Sequence, residues 1–127
     1  MSKCPFCQVD QSRVVLQSAS AIAMRDEFPL TEGHTLIIPR PHVKSLYDLS
    51  AEDQLAAWDL VSDVRKNCKQ ELGIHAFNIG INDGAEAGQT IEHAHIHVIP
   101  RRIGDVVDPR GGIRNIIPAR ARYWEVD

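Results

Sequence analysis

The chain lacks a long apolar run, an excess of positive charge and more than a sprinkling of cysteine. In 127 residues no hydrophobic stretch approaches the roughly 18 residues that a membrane-spanning helix requires. Lys and Arg number 14 against 17 Asp and Glu, leaving a net charge of −3, so a general affinity for nucleic acid or an anionic membrane is not indicated. The opening Met-Ser-Lys-Cys-Pro-Phe-Cys has no apolar core of the kind a secretory leader carries. Three cysteines without such a leader point to a reducing compartment, and a cytoplasmic location is expected. Internal repeats, low-complexity tracts and Pro/Gly linkers are also missing, so residues 1–127 are read as one domain.

What is present is a mixed pattern. Short β-prone runs at 14–16 and 19–24 suggest a hairpin, and 34–38 reads as a β-branched strand stopped by Pro39-Arg40-Pro41. The clearest helix follows. Ser50 is a suitable N-cap with Asp53 three residues on, and Ala57, Leu60, Val61, Val64, Cys68 and Leu72 recur at helical spacing. Gly73 then stands where a left-handed residue would end the helix. Cys68 falls on the apolar stripe and reads as a small buried hydrophobe, with Trp58 just off it as a candidate interface residue. Residues 76–81 alternate, and a turn-rich loop leads to a last strand. Strands, one long helix and further strands predict an α+β fold, an antiparallel sheet with the helix across one face. Residues from about 103 to 127 read as an irregular basic tail carrying Arg110, Arg114, Arg120 and Arg122.

The last strand holds half of the six histidines. In Gly-Gln-Thr-Ile-Glu-His-Ala-His-Ile-His-Val-Ile-Pro, His93, His95 and His97 alternate with Ala94, Ile96 and Val98, so a strand would put the imidazoles on one open face. Imidazole titrates near neutrality and can act as nucleophile, proton donor or metal ligand. Gly88-Gln89-Thr90 precede the row and could offer donors to an oxyanion.

His-φ-His-φ-His-φ-φ at 93–99 matches the signature of the histidine triad (HIT) superfamily. Gly33-His34 leading to Ile38-Pro39 and the stretch from Asn82 to Thr90 extend the resemblance over roughly residues 4 to 102. Glu-Ala-Gly-Gln-Thr and Pro-Arg-Arg-Ile-Gly-Asp are most similar to the diadenosine polyphosphate hydrolases, with the purine nucleoside phosphoramidases as close competitor. The resemblance implies a HIT-like fold and a nucleotidyl hydrolase or transferase acting at an α-phosphate through a covalent nucleotidyl-histidine. It implies His95 as nucleophile, His97 and Gln89 on the non-bridging oxygens, and the amides of Gly88 to Ile91 against developing charge. Thr90 would serve the leaving group, His34 would buttress the row, Asp26 would bind ribose hydroxyls and Asn82 the nucleotide near its phosphate. Taken singly, a histidine such as His34 at a strand start is more often structural, and Asp26 and Asn82 are equally turn residues. A nucleotide-binding module with feeble turnover is the remaining alternative.

Cys4-Pro-Phe-Cys7 has the spacing of a zinc knuckle or a redox pair, and its place ahead of any βαβ pattern disfavours the latter. His42 is a candidate third ligand. Zinc-bearing bacterial relatives imply His93 as the fourth, which would make it a brace for His95, and His75 is the fallback. Four protein ligands would close the site, so the zinc is expected to be structural and the chemistry to need no cofactor. The family resemblance further implies a homodimer, and the arginine-bearing tail is expected to pack across it and contact the leaving phosphate chain.

Overall fold

A computed structural model describes residues 4–125. Strands β1 (Val14–Gln17), β2 (Ala21–Arg25) and β3 (Thr35–Pro39) are followed by helix α1 (Ala51–Leu72), then β4 (Ala76–Gly80) and β5 (Ile96–Arg101). The strands form one antiparallel sheet in the order β1-β2-β3-β5-β4. The predicted α+β arrangement is therefore the observed one.

Helix α1 owes its limits to local chemistry. The Ser50 hydroxyl accepts from the Asp53 N–H at 3.1 Å, satisfying one of the first-turn donors. At the other end Gly73 adopts φ 66° and its N–H reaches the Cys68 and Lys69 carbonyls. Between them Ala57, Leu60, Val61, Val64 and Cys68 are buried against one face of the sheet, where Ala21, Ala23, Ile37, Ile96 and Val98 complete the main core. Burying such side chains is worth about 1.5–3 kcal/mol each for the larger aliphatics.

The opposite face is not open. Ile22, Met24, Leu36 and Ile38 form a second, smaller core roofed by the N-terminal segment through Phe6. That is why β2 and β3 are buried on both faces instead of alternating. The histidine row is also shorter as a strand than its alternation suggested: β5 starts at Ile96, so His93 and His95 precede it. One glycine is dictated by the site. Gly33 holds φ +92°, and a Cβ there would sit 3.2 Å from Pro100 Cγ and 2.7 Å from Leu72 Cδ1. It turns the chain directly into His34.

Past β5 the chain is irregular, with 3-10 turns at Gly112–Ile116, Pro118–Arg120 and Tyr123–Glu125. Its arginines are largely spent within the tail. Arg110 pairs with Asp108 at 3.0 Å and lies over Trp124, Arg122 pairs with Glu125 at 2.8 Å, and Arg114 donates to the Arg120 and Ala121 carbonyls. Arg110, Arg114 and Arg122 each therefore hold an intramolecular partner within the tail.

Candidate active site and metal cluster

The face of β5 away from α1 carries His97, which lies opposite Leu36 of β3 and Gly80 of β4. Two chains of hydrogen bonds fix the imidazoles, and each can be followed from a backbone group whose role is unambiguous.

The first begins at Leu30. Its N–H donates to His34 Nδ1 at 3.1 Å, so that nitrogen holds a lone pair and the His34 proton is on Nε2. Nε2 then donates to His97 Nδ1 at 2.9 Å, with Asp26 Oδ2 also 3.4 Å away. His97 accepts at Nδ1 and carries its own proton on Nε2. Burial lowers the His97 pKa to about 4, aided by His95 and His34 and opposed by Asp26, so the ring is a neutral donor near pH 7. His34, itself buried, is lowered for the same first reason. The other Asp26 oxygen accepts from the Phe28 N–H at 2.8 Å, so Asp26 caps the turn as well as facing His34.

The second chain begins at His93. His95 Nδ1 donates to the His93 carbonyl at 2.8 Å, leaving the lone pair on Nε2 of a half-buried ring. His93 does not share the open face with it, which corrects the picture of three parallel imidazoles. It is fully buried, and its Nε2 donates to the Pro39 carbonyl at 2.7 Å. Its Nδ1 lone pair is thereby aimed at sulfur, 3.4 Å from Cys4 Sγ and 3.6 Å from Cys7 Sγ. His42 Nδ1 lies 3.0 Å from Cys7 Sγ.

Cys4, Cys7, His42 and His93 thus bring four donor atoms within 4.8 Å of one another. A tetrahedral zinc with ordinary Zn–S and Zn–N bonds sets nitrogen and sulfur about 3.5 Å apart, close to the separations made by His93. Desolvation and the adjacent Cys4 raise the Cys7 thiol pKa, the strain a bound cation would relieve. The donor set fits zinc. His75 is exposed at the start of β4 and is outside the cluster.

The loop before the row is organised by Gln89. Its Oε1 accepts from Gly84 N at 2.9 Å and its Nε2 donates to the carbonyls of Lys44 and Ile91 at 2.8 and 3.0 Å. The side-chain amide is committed to the loop, so its expected grip on phosphate oxygens is corrected to a loop-shaping role. The Gly88 and Gln89 N–H groups are spent on Ala85 and Gly84, while no carbonyl among the described residues takes those of Thr90 and Ile91. Thr90 and Asn82 are exposed, Asn82 just beyond the β4 end that pairs with His97.

Three contributors escaped the sequence reading: the Leu30 N–H, the Pro39 carbonyl and Phe6. The backbone groups leave no trace in residue identity. Phe6, an apolar residue enclosed by two cysteines, was the one available signal.

A five-stranded antiparallel sheet crossed by one helix, presenting paired imidazoles beside a Cys/His cluster, defines a histidine-triad type of domain. A HIT domain model matches residues 8–104, and the chain belongs to the HIT family. It is 32% identical to an uncharacterised HIT-like protein of Methanocaldococcus jannaschii over 89% of this chain and 91% of that one. It is 35% identical to the asymmetrical bis(5'-nucleosyl)-tetraphosphatase of Schizosaccharomyces pombe, over 74% of this chain but 52% of the yeast protein. Among solved structures, a zinc-bound histidine triad family protein from Mycobacterium smegmatis superposes with a TM-score of 0.75 at 32% identity, covering 84% of this chain and 80% of that one.

Proposed function

We propose that the chain is a nucleotidyl hydrolase or transferase that cleaves dinucleoside polyphosphates or related nucleotide conjugates at the α-phosphate, with His95 as the nucleophile. The observation that carries the reading is the pinned tautomer of His95: its Nδ1–H is held by the His93 carbonyl, which leaves a lone pair on Nε2. In the proposed reaction Nε2 forms a bond to phosphorus while the bond to the leaving phosphate or amine breaks, and the leaving group departs with a proton passed by Thr90. Water then attacks the same phosphorus and gives a proton back to Thr90, the N–P bond breaks, and a nucleoside monophosphate is released with His95 restored. Splitting one displacement into two is the usual advantage of a covalent intermediate.

His97 Nε2–H is assigned to a non-bridging oxygen, and the amides of Thr90 and Ile91, which no described carbonyl takes, to the charge that grows there. A neutral His97 suits this role, since it gives a hydrogen bond without surrendering its proton. Asp26 and Asn82 are assigned to the ribose and the nucleotide beside its phosphate. Cys4, Cys7, His42 and His93 would hold a structural zinc, which supplies rigidity and no bond-breaking step. The reading includes a cytoplasmic homodimer, in which the exposed Leu55 and Trp58 of α1 and the edge strand β4 offer the unpartnered surface.

The test is a rapid quench of the chain with diadenosine tetraphosphate or an adenosine phosphoramidate, followed by peptide mass mapping. A nucleotidyl adduct on His95 is expected, the faster substrate naming the branch. His95→Ala should abolish turnover and keep nucleotide affinity; equal rates in variant and parent leave only a nucleotide-binding module.

A further inference from the structure

Phe6 lies between two of the four cluster donors, yet it points away from them. Pro5 and Cys7 on either side are exposed, while Phe6 is 7% exposed and packs with Met24, Leu36 and Ile38. Its edge also meets the imidazole of His95, with ring centroids 4.9 Å apart and planes at 73°, and that of His93 at 6.0 Å and 79°. Edge-to-face geometry of this kind orients both rings.

The His95 ring therefore has two restraints of different origin. One is the His93 carbonyl on Nδ1, at 2.8 Å. The other is the Phe6 ring against its side. Both come from residues tied to the cluster: His93 supplies one donor, and Phe6 is enclosed by Cys4 and Cys7 in a turn closed by the Cys7 N–H on the Cys4 carbonyl at 3.2 Å. This N-terminal turn is held to the rest of the site by Phe6 in the second core and by sulfur–imidazole contacts over sequence separations of 35 to 89 residues.

We propose that Phe6 is a positioning residue for His95, and that the Cys4–Cys7–His42–His93 cluster, when it holds its metal, anchors the nucleophile by keeping Phe6 and the His93 carbonyl in register. The assignment rests on His95 being the attacking group. It gives the cluster a task beyond closing the N-terminus: the metal, remote from the reacting phosphorus, sets the orientation of the ring that attacks it. A displacement of the order of 1 Å at a reacting atom lowers rates by up to about 100-fold.

The experiment compares the zinc-loaded parent with Phe6→Ala, Phe6→Leu and Phe6→Tyr, with metal content measured on each. Long-range proton–nitrogen spectra of the imidazoles read the His95 tautomer, and steady-state kinetics read kcat and KM separately. Phe6→Ala should retain its zinc, lose the single Nδ1–H signature of His95 and drop about 10- to 100-fold in kcat with KM little changed. Phe6→Tyr should restore both, and Phe6→Leu serves if the alanine chain does not fold. Chelating the metal from the parent should produce the same change in the His95 spectrum. A zinc-loaded Phe6→Ala or Phe6→Leu with the parent's tautomer signature and kcat overturns the proposal, as does a chelated parent with an unaltered His95 spectrum. A parent that turns nothing over refutes the function proposed above, and the imidazole spectra then decide the anchoring on their own.

Discussion

Acidification from pH 7 to pH 4 is a direct trial of the buried imidazole chain. His97 titrates near 6.5 when unfolded and at about 4 in the fold, chiefly because burial disfavours its charged form. Between those values the unfolded chain binds the extra proton and the native one does not, so stability falls as pH falls through that window. Above pH 7 both states are neutral and the contribution is level. The full shift corresponds to about 3 kcal/mol over the interval. Because the ring is half-exposed and its field is screened by solvent, about 1–2 kcal/mol is expected. Urea unfolding of the parent and of His97→Asn, which keeps an acceptor for His34, at pH 7, 5.5 and 4 isolates this contribution. Loss of metal in acid is common to both chains and cancels in the comparison. The parent should lose about 1–2 kcal/mol more than the variant; parallel losses would refute the account of His97 as a buried neutral donor.

Two further outcomes follow from the cluster and from the turn before His34. Cys7→Ser should bind zinc far more weakly by elemental analysis, and limited proteolysis should then cut the segment before β1 faster than in the parent, since its anchor is gone. Unchanged metal content and protection would remove Cys7 from the donor set. Gly33→Ala should cost about 2 kcal/mol in chemical denaturation, from left-handed backbone strain and the close approach of Pro100; a loss below about 0.5 kcal/mol would show that the turn relaxes freely.

How much of this was legible in the sequence varies with how local the cause is. Helix α1 was readable to its end residues because both caps and the apolar stripe act within a few turns: Ser50 on Asp53, Gly73 on Cys68 and Lys69. The strands were found to within a few residues, and Cys4-x-x-Cys7 and His42, with His93 from the family resemblance, are the residues that the structure gathers into one cluster. The division of labour between those side chains was not readable. Alternation placed His93, His95 and His97 on one face, whereas His93 turns inward because the Pro39 carbonyl and two sulfurs, remote in sequence, engage its two nitrogens.

Residue types and their spacing, then, determined that this chain makes a single-helix sheet carrying closely spaced histidines and a Cys4-x-x-Cys7 pair, while the family resemblance supplied His93 as the fourth donor of the cluster. Only the tertiary structure decided which nitrogen of each ring keeps its lone pair. That choice belongs to backbone groups of Leu30, Pro39 and His93. Every residue but proline carries the same N–H and every residue the same C=O, so identity says nothing of where they point; chain folding alone aims them.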